Sequence, residues 1–150
     1  MALVSVEEAL SRMLAGIKAL TAEEIAIGKA HGRVLAEDLA AKRDQPPRDV
    51  SAMDGYVAKS GDLPGTLKVA GESGAGRPFA GALAPGEAVR IFTGAVVPAG
   101  ADTVVAQEDA KRDGGRVTLP ASPPGKFVRK QGFDFKAGDA LIGAGRRLGA

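Results

Sequence analysis

Glycine and proline set the tightest limit on what this chain can fold into: 21 Gly and 9 Pro fall among its 150 residues, well above the ~12% these two types usually make up together. Proline fixes φ and lacks an N–H, while glycine tolerates positive φ, so both favour turns and interrupt regular elements. Short strands are therefore expected over long helices. The punctuation is sparse enough for a helix near the N-terminus. There Val6, Leu10, Met13, Leu14 and Ile17 recur at the spacing of one helical face. Ser5-Val6-Glu7-Glu8 has capping-box form, in which the Ser5 hydroxyl takes the Glu8 N–H and Glu8 reaches back. The spacing predicts a single amphipathic helix ending near Leu20. Its apolar stripe needs cover, and a partner subunit is one candidate.

Residues 23–27 read as a short strand and 30–36 as a helical turn or two, broken by Gly28 and Gly32. After Tyr56 the pattern becomes short β segments at 66–70, 88–92, 102–106, 116–119 and 126–129, with Asp113-Gly114-Gly115 as a turn. Five or more short strands so spaced suggest a small β-barrel or sandwich. The expected fold class is α+β and mostly β: an N-terminal α-containing segment over residues 1–45, a β domain over 46–140, and a return towards the first unit over 141–150. The last stretch reads as an element that starts and then stops, as expected of a fragment of a longer chain.

A hydrophobic fraction of 45% places the chain among globular proteins. Aromatics make up only 4% and Trp is absent, so the core must come from Val, Leu, Ile and Ala. With no cysteine, disulfides, thiolate metal sites and cysteine nucleophiles are excluded. The net charge of +2 is carried by dispersed basic residues, which argues against a nucleic-acid binder. No apolar run approaches the ~20 residues that cross a bilayer, and no secretory signal is visible, so the expected location is cytoplasmic. His31 stands alone without a second ligand at metal spacing.

Three segments can carry chemistry. Asp44-Gln45-Pro46-Pro47-Arg48-Asp49 leads into Ser51-Ala52-Met53-Asp54-Gly55-Tyr56, a stiff loop of the kind on which rigid scaffolds place function. Asp54 can hold Mg²⁺ with waters, or merely satisfy its own backbone in an Asx-turn. Thr93-Gly94-Ala95 follows a strand. Glycine amides and a hydroxyl there suit an oxyanion such as phosphate or molybdate, or else form a tight inter-strand turn. Arg129-Lys130-Gln131-Gly132-Phe133-Asp134-Phe135 offers cations for phosphate and an Asp for metal. Alternatively it is a polar hairpin tip with Phe133 and Phe135 packed on one face. Gln107-Glu108-Asp109 either backs up site residues or forms a solvated cap on an edge strand, and the solvated cap is the expectation.

Taken in order, these blocks, with Val4 to Leu10, Gly32 to Asp38, Arg90 to Ala95 and Asp102 to Asp109, resemble the N-terminal region of the MoeA/gephyrin family over essentially the whole chain. The resemblance implies a molybdopterin molybdenumtransferase of molybdenum-cofactor biosynthesis, which joins molybdate to the dithiolene of molybdopterin. The substrates it implies are molybdate and adenylylated molybdopterin, with Mg²⁺ assisting and AMP released. By the same resemblance Asp54, Thr93 and Asp134 line the active-site cleft. Asp54 and Asp134 organise metal or oxyanion, Thr93 hydrogen-bonds substrate, and Ser51, Gly94 and Arg129 contribute to substrate binding. It further implies an elongated homodimer in which this β unit nears the α/β domain of the partner. Where the family usually has Asn, this chain has Val50, which removes one polar contact from the signature loop. Without the α/β and C-terminal β domains of the family, the chain alone is expected to be inactive. Two rival readings stand beside this one: a non-catalytic self-association or scaffold module, and a standalone oxyanion binder.

Overall fold

A computed structural model of the protein describes residues 3–149. They form two compact units, one running up to Asp38 and resuming from Ile142, the other spanning Leu39–Leu141. Among the described residues there is one α-helix, α1 (Val6–Leu14). The strands are β1 (Leu39–Ala40), β2 (Val50–Ser51), β3 (Gly55–Ala58), β4 (Gly65–Ser73), β5 (Glu87–Ile91), β6 (Thr103–Ala106), β7 (Lys111–Asp113), β8 (Arg116–Leu119), β9 (Val128–Arg129) and β10 (Ala140–Ile142).

The larger unit is built on one six-stranded sheet in the order β6-β3-β5-β4-β8-β7, with β2-β9 and β1-β10 as separate two-stranded pairs. Within the six, only β4 and β5 run parallel. Their crossover, residues 74–86, is a run of turns rather than a helix, as its glycines and prolines dictate. All four residues of β3 and of β6 are buried. Successive side chains leave opposite faces of a strand, so both faces of the sheet must be covered. Tyr56, Ala58, Leu67, Val105, Val117 and Leu119 pack on one side, whereas Val57, Leu83, Val89, Ile91, Ala95 and Val104 pack on the other. Each fully buried Val, Leu or Ile contributes about 1.5–3 kcal/mol, enough for an aliphatic core to hold without tryptophan.

Gly55 is required where it stands. A Cβ there would lie 1.9 Å from the Val105 carbonyl oxygen on β6, so only glycine lets β3 and β6 approach. The outer edge of β6 is not left open. The Val104 N–H donates to Lys126 O at 3.0 Å. Buried Thr103 Oγ1 lies 2.8 Å from both Ser122 Oγ and Pro123 O.

The smaller unit carries α1, which stops at Leu14 rather than near Leu20. Ala15 caps it, and the chain leaves the helix beside Gly16, whose backbone freedom disfavours another turn. Ser5 Oγ accepts the Glu8 N–H at 3.1 Å as the capping box predicts, but the Glu8 carboxylate turns instead to Arg12 four residues on. Residues 23–27 form no strand. Segment 30–36 is not helical: Gly32 sits at φ +79, and Val34 bridges Arg147 in antiparallel pairing, with Leu35 N–H donating to Arg146 O at 2.9 Å. In the larger unit the strand expected over 126–129 shortens to Val128–Arg129 because Phe127 adopts a left-handed φ of 55. Phe133, which the hairpin-tip alternative packs on one face with Phe135, is 69% exposed.

Candidate active-site loops

Strand register brings the first pair of candidate residues together. In the antiparallel β3–β5 pair, Gly55 faces Ile91, so the residue entering β3 meets the loop leaving β5. Asp54 Oδ1 accepts both the Thr93 N–H and the Thr93 hydroxyl, each at 2.7 Å. Those two hydrogen bonds, the backbone one first, hold the carboxyl below the usual aspartate range despite slight desolvation, with a further contribution from the Arg90 charge. Asp54 is thus a fixed carboxylate with one oxygen committed and Oδ2 free of hydrogen bonds to the described residues.

The loop amides are otherwise engaged. Gly94 N–H donates to Ser51 O at 2.8 Å and Ala95 N–H to Phe92 O at 2.9 Å. The backbone donors expected to cradle an oxyanion are therefore spent within the protein. Gly94 serves by its φ of +80 and the open space beside it, which keeps the loop low. Ser51 is 2% exposed, and its hydroxyl is committed to Met53, donating to the carbonyl at 2.6 Å and accepting the N–H at 3.3 Å. It shapes the Asp54 loop from within.

The second pair lies on the other side of the signature loop. Val50 on β2 faces Arg129 on β9. Arg129 ion-pairs with Asp134, and its guanidinium lies 5.3 Å from the Phe133 ring centroid. Among the described residues no side-chain hydrogen bond links this pair to Asp54 and Thr93. A groove of about 620 Å³ borders it, lined in part by Pro47, Arg48, Val50, Gly94, Arg129 and Asp134. Val50 presents an apolar wall there. Arg48, exposed and without an acidic partner among the described residues, adds a second cation. The sequence places Arg48 within the signature run but gives it no role of its own.

The two loops are stitched together by carboxylates. Asp49 accepts from Lys130 Nζ at 2.7 Å and Gln131 N at 2.9 Å, and Asp44 accepts from Gln131 Nε2 at 2.6 Å and Ala137 N at 2.9 Å. These four hydrogen bonds tie residues 44–49 to residues 130–137. Hard-oxygen chemistry is available at Asp54 Oδ2, but no group of three His, Asp or Glu side chains converges for a metal among the described residues. Any divalent cation here would draw most of its ligands from water and a bound anion.

The β unit thus presents a fixed carboxylate–hydroxyl pair, Asp54–Thr93, and Gly94, next along the chain, lines the groove together with Arg48 and Arg129. Residues 4–150 match the family described as the MoeA N-terminal region (domain I and II), and the chain belongs to that family. It is 40% identical to the molybdopterin molybdenumtransferase of Nostoc sp. over 85% of this chain and 31% of that protein. It is 37% identical to the Haemophilus influenzae molybdopterin molybdenumtransferase over 97% of this chain and 37% of that protein. The crystal structure of the Pyrococcus horikoshii molybdopterin biosynthesis protein MoeA superposes with a TM-score of 0.89 at 34% identity, covering 98% of this chain and 41% of that one. The chain therefore spans between 31% and 41% of the length of these proteins. None of the helices among the described residues is long and apolar enough to cross a membrane.

Proposed function

We propose that this chain supplies the Asp54–Thr93 and Arg129–Asp134 rim of a molybdopterin molybdenumtransferase site in molybdenum-cofactor biosynthesis, acting in the cytoplasm on molybdate and adenylylated molybdopterin. The observation that carries the reading is the double hydrogen bond from Thr93 to Asp54 Oδ1, at 2.7 Å each, next to a groove bordered by Arg48 and Arg129. Because an ionised Asp54 accepts the hydrogen bond of the Thr93 hydroxyl, Thr93 has only lone pairs left to offer. It accepts from substrate or adds an oxygen ligand; it does not donate to an oxyanion. Donation to phosphate falls to Arg129, whose planar fork suits that geometry. Asp134 orients Arg129 and moderates its charge. Mg²⁺, when bound, neutralises substrate charge, and Asp54 Oδ2 is the oxygen that would hold it, with Asp134 as the other carboxylate of the rim. The cleft is completed by residues outside the matched third of the relatives, so the isolated chain is expected to be inactive.

The test is a chimera in which this chain replaces the matching segment of the Haemophilus influenzae relative. Molybdate transfer by the chimera, reduced on the order of 10²-fold by Asp54→Asn, supports the reading. Equal turnover with and without the substitution overturns it.

A second reading is favoured by one observation. The stripe on and just beyond α1 is bare: Val6 is 79%, Met13 76% and Ile17 70% exposed. Apolar exposure on that scale marks an interaction surface, and the proposed occupant is a second copy, giving a homodimer. Sedimentation of the chain beside its Leu10→Ser/Met13→Ser variant checks this, with a dimer lost in the variant as the expected result.

A further inference from the structure

Arg90, on β5, is opposite Tyr56 on β3 and is half-buried. An arginine on a strand usually extends into water, yet this one folds back over the site loops. Its Nη1 donates to Gly55 O at 3.1 Å and its Nη2 to Gln107 Oε1 at 2.6 Å. The guanidinium lies 5.3 Å from the Tyr56 ring centroid and 4.9 Å from that of Phe92. Each contact adjoins the Asp54–Thr93 pair. Gly55 and Tyr56 follow Asp54, Phe92 precedes Thr93, and the Gln107 N–H donates to Asp54 O at 3.0 Å.

We propose that Arg90 is a positioning residue that clamps the entry to β3, the exit from β5 and the Gln107 turn around Asp54 and Thr93. The clamp needs a planar fork between two rings. A lysine, with one compact ammonium, cannot reach both acceptors while stacking on either ring. The role assigned rests on the site reading above, but its test does not require molybdopterin.

Amide hydrogen exchange of the 150-residue chain provides the readout, with the amides of Val57 and Val117 as controls for an intact sheet. Arg90→Gln should speed Thr93 amide exchange on the order of tenfold, the effect of losing one charge-assisted hydrogen bond, with both controls at parental rates. Arg90→Lys should speed Thr93 exchange similarly, since one ammonium cannot replace the fork. Unchanged Thr93 exchange in folded Arg90→Gln overturns the proposal. If neither variant folds, Gln107→Ala, at an exposed side chain, decides it: faster Thr93 exchange supports the clamp and parental exchange overturns it. Loss of transferase activity in a chimera with unchanged exchange would speak against the clamp alone. Faster exchange in a chimera that never transfers molybdate would speak against the transferase reading alone.

Discussion

The chemistry of single residues here depends on which atoms are already spoken for. Thr93 donates twice to one oxygen of Asp54, and Ser51 turns inward to Met53. Of the loop hydroxyls and amides named above, only the Thr93 lone pairs remain for a ligand. Thr93→Val removes one of the two donors and keeps the other. The carboxyl of Asp54 should then titrate at higher pH, closer to an ordinary aspartate, as followed by carboxyl NMR; an unmoved midpoint would show that the hydroxyl does not stabilise the charge. Sequence reading singles out Asp54, Thr93, Arg129 and Asp134 because they fall in recognisable blocks. Arg48 and Arg90 fall in those blocks too but receive no role there, since neither a charge beside prolines nor an arginine in an alternating strand reveals that it folds over a groove or a ring.

At the scale of elements, strands that are local and separated by Gly or Pro are legible, and those that depend on distant partners are not. β4, β5, β6 and β8 fall where short apolar runs predict them. β3 does not announce itself: it spans only Gly55–Ala58 and follows directly on the signature loop, though it is the strand both neighbours bury. Pairing between segment 32–35 and residues 145–148 lies beyond any local signal. The Gly55 contact gives a sharp check. Gly55→Ala drives a methyl into the Val105 carbonyl and should cost about 3–5 kcal/mol or abolish folding. Gly61→Ala, where a Cβ meets nothing within 4 Å, should change urea-unfolding stability by no more than about 0.5 kcal/mol.

Across the whole molecule the acids set the response to pH. Asp44, Asp49 and Asp54 are all held below the usual range. For Asp44 the cause is the Ala137 N–H and then Gln131. For Asp49 partial burial pushes the other way but is outweighed by Lys130 and the Gln131 N–H. A depressed folded value means stability that is complete above the unfolded aspartate value of about 3.9 and is lost as pH falls through the lower folded values. The thermal midpoint should thus be flat from neutrality down to about pH 4 and fall steeply below it, and Asp49→Asn should soften that fall. A midpoint that rises on acidification would contradict the carboxylate stitching.

The most direct measurement is a double-mutant cycle on AMP release by the chimeric transferase, comparing Asp54→Asn, Thr93→Val and both together. If the two side chains act as one unit, the double variant should be no slower than Asp54→Asn alone. Losses that multiply, or turnover that none of the three variants diminishes, would contradict a joint role for Asp54 and Thr93 in molybdate transfer.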